Sequence, residues 1–396
     1  MQPTRLSHLL KSKKTLMISA GLVPCALAAG FVACGTSEKT SGGSTATSYA
    51  GLGSRWGAEF DGSDFTITYD KEADGSLSGT DDFTVEGTFE EFDSGFKKLT
   101  AVTVTKGATA QAPSADDEAY ALEIPGFGLF VQPIGSTQSE PIVMLKSGEC
   151  PTEANEANWI IANFKEDIDS GTGLARRPSN GSSCDGFGSA SFTVDGAAVT
   201  GVISQRKFTD GVAISGGPTI AGTCADGVNS FDDPGNPGET GTMLLTANGG
   251  ALVNSPGGLI FAAPRLSADV TSSDWNGEYS AIAFTGSNTF PARITLNGTS
   301  GTGVQYTDVE AGTVSSGGVT LASLAVVAGS QGNFSGTIDT GSGDGPLPLN
   351  CMLSETDGQK VLACNGASDS HSYPGGPSSD GATTAYKSFF ILGVQQ

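Results

Sequence analysis

Histidine is almost missing from this chain. Of the two present, His8 sits in a basic, apolar leader, so only His371 is left for chemistry that needs a proton carrier near neutral pH. No H-E-x-x-H zinc motif, Walker or dinucleotide glycine fingerprint, or G-x-S-x-G elbow occurs. A Ser-His-Asp arrangement built on Asp369-Ser-His-Ser372 would therefore lack its usual frame. The surrounding Asn365-Gly-Ala-Ser-Asp-Ser-His-Ser-Tyr-Pro-Gly-Gly376 has surface-loop composition, which makes His371 a loop residue. No C-x-x-C pair is present, which argues against a thiolate zinc site. Helical periodicity is nearly absent too: Pro151-Thr-Glu-Ala-Asn-Glu-Ala-Asn158, with proline at a possible first position, is the best candidate for one or two turns. Positive charge is scarce, with 20 Lys+Arg against 42 Asp+Glu and a formal net charge of -22. Such a surface repels nucleic acid and anionic headgroups and argues against both as partners.

What the chain does have is glycine, 57 residues of it, punctuating short alternating runs. Phe65-Thr-Ile-Thr-Tyr69, Leu99-Thr-Ala-Val-Thr-Val-Thr105, Ala190-Ser-Phe-Thr-Val194, Val199-Thr-Gly-Val-Ile203 and Ala292-Arg-Ile-Thr-Leu296 alternate apolar with polar or small residues and end at turn formers. With 37% apolar residues and no G-X-Y period, the chain is neither disordered nor collagen-like. The expected fold class is all-β: small antiparallel β-barrel or β-sandwich units in tandem.

The leader carries Arg5, Lys11, Lys13 and Lys14 with no acid, followed by the uncharged run 15–34. That is the charge and hydropathy pattern of an export signal. The run closes on Phe31-Val32-Ala33-Cys34 followed by Gly35. This segment resembles the bacterial lipobox, and the resemblance implies a lipoprotein precursor: residues 1–33 as signal peptide, Cys34 as the diacylglyceryl site, and Gly35 directing the chain to the outer membrane. An uncleaved membrane-spanning anchor is the alternative use of the same twenty residues. Past residue 33 the chain keeps 16 bases and all 42 acids, a net charge near -26.

Internal similarity suggests three units, 51–135, 136–268 and 269–396, on a flexible Ser/Gly/Thr tether at 34–50. Trp56-Gly-Ala-Glu-Phe60 matches Trp275-Asn-Gly-Glu-Tyr279; Phe83-Thr-Val-Glu-Gly87 matches Phe192-Thr-Val-Asp-Gly196 and Ile294-Thr-Leu-Asn-Gly298; Leu245-Thr-Ala-Asn-Gly249 matches Leu362-Ala-Cys-Asn-Gly366. Pro125-Gly-Phe-Gly-Leu-Phe-Val-Gln-Pro133 parallels Pro256-Gly-Gly-Leu-Ile-Phe-Ala-Ala-Pro264. Each unit holds one tryptophan, Trp56, Trp159 or Trp275, as a core anchor. An early Trp near a Gly and an aromatic resembles the first strand of lipocalin-like barrels. Pooling of all strands into one or two larger sheets is the competing architecture.

Outside the cytoplasm, Cys150, Cys184, Cys224, Cys351 and Cys364 should oxidise where geometry permits. Cys351 and Cys364 flank the turn signal Glu355-Thr-Asp-Gly358 and are expected to staple one hairpin. Cys150 is expected to pair with Cys184, leaving Cys224 odd, with Cys184–Cys224 as the competing bond. Acids gather at Asp61–Asp64, Asp70–Asp74, Asp81-Asp82 and Glu90–Asp93, and again at Asp226, Asn229, Asp232 and Asp233. These are candidate calcium ligands, Ca²⁺ being the one cofactor considered. Glu59 and Glu278 are the candidate pair for a carboxylate hydrolase. The expected function is a non-enzymatic binding, adhesive or structural role for a lipid-anchored protein of the cell envelope, on the periplasmic face or the cell surface. Its partners would be the membrane and a protein or small-molecule ligand. A lipocalin-like ligand carrier and an acid/base hydrolase are the alternatives, and a closed barrel with an unfilled apolar interior is the feature that favours a carrier.

Overall fold

The computed structural model describes residues 46–396 apart from 53–54, 115–117, 125, 134–140, 165–166, 169–174, 177–184, 208–210, 234–237, 239, 256–257, 286–287, 342, 344 and 373–383. No α-helix occurs among the described residues. The strands close into three antiparallel eight-stranded barrels in tandem. The first barrel runs from strand Thr47–Gly51 to strand Ile142–Lys146, the second from Asn155–Phe164 to Gly258–Pro264, and the third from Gly277–Phe284 to Thr384–Gln395. Each is an up-and-down meander whose last strand returns to its first. Tyr49 faces Lys146, Trp159 faces Ala262, and Tyr279 faces Gln395. Closure removes the free sheet edge that an open meander would leave. Two-residue turns set the registers: Asp226-Gly227 and Asp357-Gly358 both take positive φ, the type I′ geometry that matches strand twist.

Alternation along a strand reports how many of its faces are buried. Where a strand faces solvent outside, the pattern is clean: in Trp56–Asp61, Ala58 and Phe60 are buried while Glu59 and Asp61 are exposed. Where barrels meet, the outer face is buried as well and the alternation disappears. Phe389 and Ile391 fill the third barrel's interior, while Phe390 and Leu392 between them enter a core shared by all three barrels. The first barrel supplies Phe96, Phe127 and Phe130 to that shared core, and the second supplies Phe187 and Phe261. Phe261 meets Phe127 and Phe130 edge-on with centroids 5.9 and 5.7 Å apart, and Phe96 meets Tyr306 at 5.7 Å.

Polar bonds fix the same seams. Between the second and third barrels, Asn158 donates to Gln331 O, Asn333 to Gly188 O (3.2 Å) and Asn365 to Ile161 O (3.1 Å). Arg206 donates to the carbonyls of Ala328 and Gly329 at 3.1 and 3.2 Å. Between the first and third barrels, Ser280 donates to Ser94 O and Lys98 pairs with Glu310 at 2.8 Å.

Several boundaries differ from the sequence expectation. Thr47–Gly51 lies in the stretch expected to be tether, yet it is the first barrel's opening strand, because Tyr49, Ala50 and Gly51 pair with Lys146, Leu145 and Met144. Ile142–Lys146 therefore completes the first barrel instead of beginning the second unit. The helix expected at 151–158 is absent; from Asn155 onward that segment is strand, with Ala157 and Trp159 buried in the second barrel and Ile160 in the shared core. Of the internal matches, Phe192…Gly196 and Ile294…Gly298 are structural equivalents, each a second strand running into a glycine with φ near +60°. The tryptophan pentapeptides are not. Trp56…Phe60 lies on the first barrel's second strand, whereas Trp275…Tyr279 leads into the third barrel's first.

Candidate functional site

The third barrel is filled at one end and open at the other. At the closed end, Trp275 is fully buried and stacked on Phe334, with centroids 4.3 Å apart and planes 16° from parallel. Its indole N–H donates to Gly298 O at 2.8 Å, and the Tyr279 hydroxyl donates to Trp275 O at 2.9 Å. Burial pushes the Tyr279 phenol well above its ordinary pKa. Cys351 and Cys364, directly opposed in the hairpin Leu347–Thr356/Gln359–Ser372, form a disulfide inside this packed half.

At the other end a recess of about 410 Å³ opens to solvent. Its depth is apolar: Ala283, Ala292, Ile294 and Phe389, all at most 2% exposed. Phe290 and Val319 stand above them, and Thr285, Gln305, Ser315 and Thr340 supply neutral polar groups. The void has a local cause in the sequence. Strand Thr313–Val326 bulges there: Gly318 pairs with Val304 and Val314 with Tyr306, so Ser315-Ser316-Gly317 stand opposite the single residue Gln305. A bulge bends its strand and locally breaks the ladder. Here the bent wall also consists of serine and glycine, with Ser315 Oγ donating to Gly317 O at 2.6 Å, so no bulky side chain refills the space. A Cβ added at Gly317 would meet nothing within 4 Å.

The other two interiors are packed. Phe60, Phe65, Leu99, Leu129 and Met144 fill the first barrel. Next to this core, the Tyr49 hydroxyl donates to Glu123, and Glu123 pairs with Lys97 at 3.1 Å. Lys97 in turn reaches Glu91 at 3.1 Å and lies 4.4 Å from the centre of the Phe89 ring. Burial, and then the bond to Glu123, pushes the Tyr49 phenol far up. In the second barrel Trp159, Phe192, Phe231 and Met243 pack together. A polar group is embedded beside them: Asn229 is fully buried, and neither amide atom finds a partner among the described residues.

No family model, curated protein or solved structure matches this chain. Among the described residues the recess is a partly apolar concavity with neutral polar groups at its mouth.

The residues singled out from sequence fall as follows. Cys34 lies outside the described residues, as does Cys184. Cys150 is bonded to Cys224, so the expected Cys150–Cys184 bridge is corrected and Cys224 is not the odd cysteine. Barrel closure explains the pairing. It brings the Gly148–Cys150 segment against the Ala225–Val228 hairpin, where the Gly227 N–H also reaches Cys150 Sγ at 3.3 Å. His371 sits on strand Gln359–Ser372 opposite Ala385 and not in a loop, since the polar run from Asn365 continues the ladder. Glu59 and Glu278 are exposed on different barrels, and Glu278 lies 3.9 Å from Arg293.

Of the candidate calcium ligands, Asp70, Glu72 and Asp82 do converge, with ligand atoms within 4.8 Å of one another. Asp70 and Asp82 are buried, and each carboxylate accepts two backbone N–H bonds: Ala73 and Gly75 on the first, Lys71 and Gly79 on the second, at 2.6–2.9 Å. The pair clamps the loop between strands Asp64–Tyr69 and Phe83–Glu91, and that role accounts for its burial. The second acidic group is dispersed: Asp226 forms a turn, Asn229 is buried within the second barrel and Asp232 is exposed. The recess itself went unread in the sequence because no motif marks it. The usable signal was the run Val314-Ser-Ser-Gly-Gly-Val319, an inner-wall stretch where bulky residues are missing.

Proposed function

We propose that this protein is a non-enzymatic small-molecule-binding protein of the cell envelope, anchored through lipid on Cys34, with its ligand site in the open end of the third barrel. The observation that carries the binding half is the recess of about 410 Å³ above a packed barrel floor, a volume within the ordinary range for ligand pockets. The anchoring half rests on the basic, apolar leader and the lipobox-like Phe31-Val32-Ala33-Cys34. Two or three acyl chains hold a protein firmly, since each buried methylene contributes about 0.8 kcal/mol.

The binding test is fluorescence titration of the purified protein with the apolar probe N-phenyl-1-naphthylamine. Gly317→Phe and Ala283→Phe introduce bulk at the recess from two different strands. Each should abolish the titration; the unfolding midpoint should stay near that of the parent in Gly317→Phe, which meets open space, and fall in Ala283→Phe, whose alanine is buried. Undiminished probe binding by both variants would overturn the site. For the anchor, mass spectrometry of membrane-fraction protein should show an N-terminal peptide beginning at Cys34 with acyl mass, lost in Cys34→Ser; a peptide beginning at Met1 would overturn it.

A further inference from the structure

Resting on the binding reading above, we infer that the ligand of the third-barrel recess is an uncharged molecule with a flat ring body and one hydrogen-bonding group directed to Gln305. The charge argument comes first. The chain carries 42 acids and 20 bases, yet none of the described residues lining the recess is charged. A carboxylate or phosphate entering it would lose hydration and meet no cation, a cost that a neutral molecule avoids. The net charge of the chain adds a repulsive field against anions. A cation would be drawn to the protein as a whole, but inside the recess it too would find no counter-charge.

Shape follows from the walls. Phe389 on the eighth strand and Phe290 on the second present rings, while the third and fourth strands contribute Gly303, Gly317 and Gly318. The two phenylalanine rings favour a planar ring on the ligand, which gains from offset or edge contact with them, and the open space beside Gly317 leaves room for it. The polar contact is assigned to the one side-chain amide among the described lining residues. The Ser315 hydroxyl already donates to Gly317 O. Gln305, opposite the bulge, offers an amide that both donates and accepts.

The test uses two probes with the same ring body. N-phenyl-1-naphthylamine is neutral, and 8-anilino-1-naphthalenesulfonate carries a sulfonate on that scaffold. In titrations of the full-length protein the neutral probe should bind at least about tenfold more tightly, and Gln305→Ala should weaken it about fivefold, the effect of one neutral hydrogen bond. Competition should show displacement by 2-naphthol and none by 1-dodecanol at equal concentration. Equal or tighter binding of the sulfonate overturns the charge inference, displacement by dodecanol overturns the flat body, and an unchanged Gln305→Ala overturns the polar contact. In each of those outcomes the Gly317→Phe block would still hold. If that block fails for both probes, the site reading itself is what fails.

Discussion

Removing one ring from the shared core tests whether the three barrels are one folding unit. Phe261 is fully buried and touches Phe127 and Phe130 edge-on across the seam between the second and first barrels. Full burial of a phenylalanine side chain stabilises by up to about 3 kcal/mol, and each aromatic pair adds about 1 kcal/mol. Phe261→Ala should therefore cost about 5 kcal/mol, at the upper end of the range seen for phenylalanine truncation in cores. A double-mutant cycle with Phe130→Ala should return a coupling near 1 kcal/mol. The assay is urea denaturation followed by tryptophan fluorescence. Trp56, Trp159 and Trp275 each sit in a different barrel, so variants retaining a single tryptophan report on each barrel separately. The three transitions should coincide in the parent and shift together in Phe261→Ala. A loss below about 1 kcal/mol, or a shift confined to the Trp159 reporter, would refute the idea of a common core.

Other expectations follow from the same geometry. Replacing Cys150 and Cys224 together, which frees a 74-residue separation, should destabilise by about 4 kcal/mol, against about 3 kcal/mol for the Cys351–Cys364 pair separated by 13; equilibrium unfolding of the two double variants gives the order, and a reversed order contradicts the loop-entropy account. Tyr49 and Tyr279 hold their protons in the folded state well above the ordinary phenol value of 10.0. Their contribution to stability is complete below that value and declines as pH rises past it, because the unfolded chain ionises first; denaturation midpoints from pH 8 upward measure the fall, and a flat profile above pH ~10 contradicts it. Asn229→Leu should raise stability by about 1–2 kcal/mol by removing an amide without a protein partner, and a lowered melting temperature would mean the amide is satisfied in solution. Asp82→Ala strips acceptors from the Lys71 and Gly79 N–H groups and should cost about 2 kcal/mol, with faster amide exchange confined to residues 70–82; exchange unchanged there would argue against the clamp.

The all-β class was legible because inward residues must alternate along a barrel strand, as Phe65, Ile67 and Tyr69 do. The Cys351–Cys364 bond was legible because both cysteines flank an Asp-Gly turn, so local geometry decided it. Long-range pairing was not legible. Thr47–Gly51 has the composition of a linker and becomes a strand through a partner nearly a hundred residues away, and Cys150–Cys224 joins residues 74 apart through the fold of the second barrel. His371 was misplaced for a related reason: a polar run can be strand when its neighbour supplies the ladder. Short repeated motifs tracked turn chemistry more than position, which is why Asp195-Gly196 and Asn297-Gly298 correspond while the tryptophan pentapeptides do not. The recess followed from small side chains at 315–318, and an absence of bulk leaves no signature until the opposite wall is known.

Barrel closure also dictates an order of events during synthesis. Each barrel's first strand pairs with its last, so Tyr49 has no second neighbour until Lys146 exists, and Tyr279 none until Gln395 has been made. Until then every barrel presents an unpaired strand to whatever surrounds it, and such edges recruit other chains. The third barrel, whose closing strand Thr384–Gln395 emerges after those of the other two, bears that exposure latest, and it is also the barrel with the recess at its mouth.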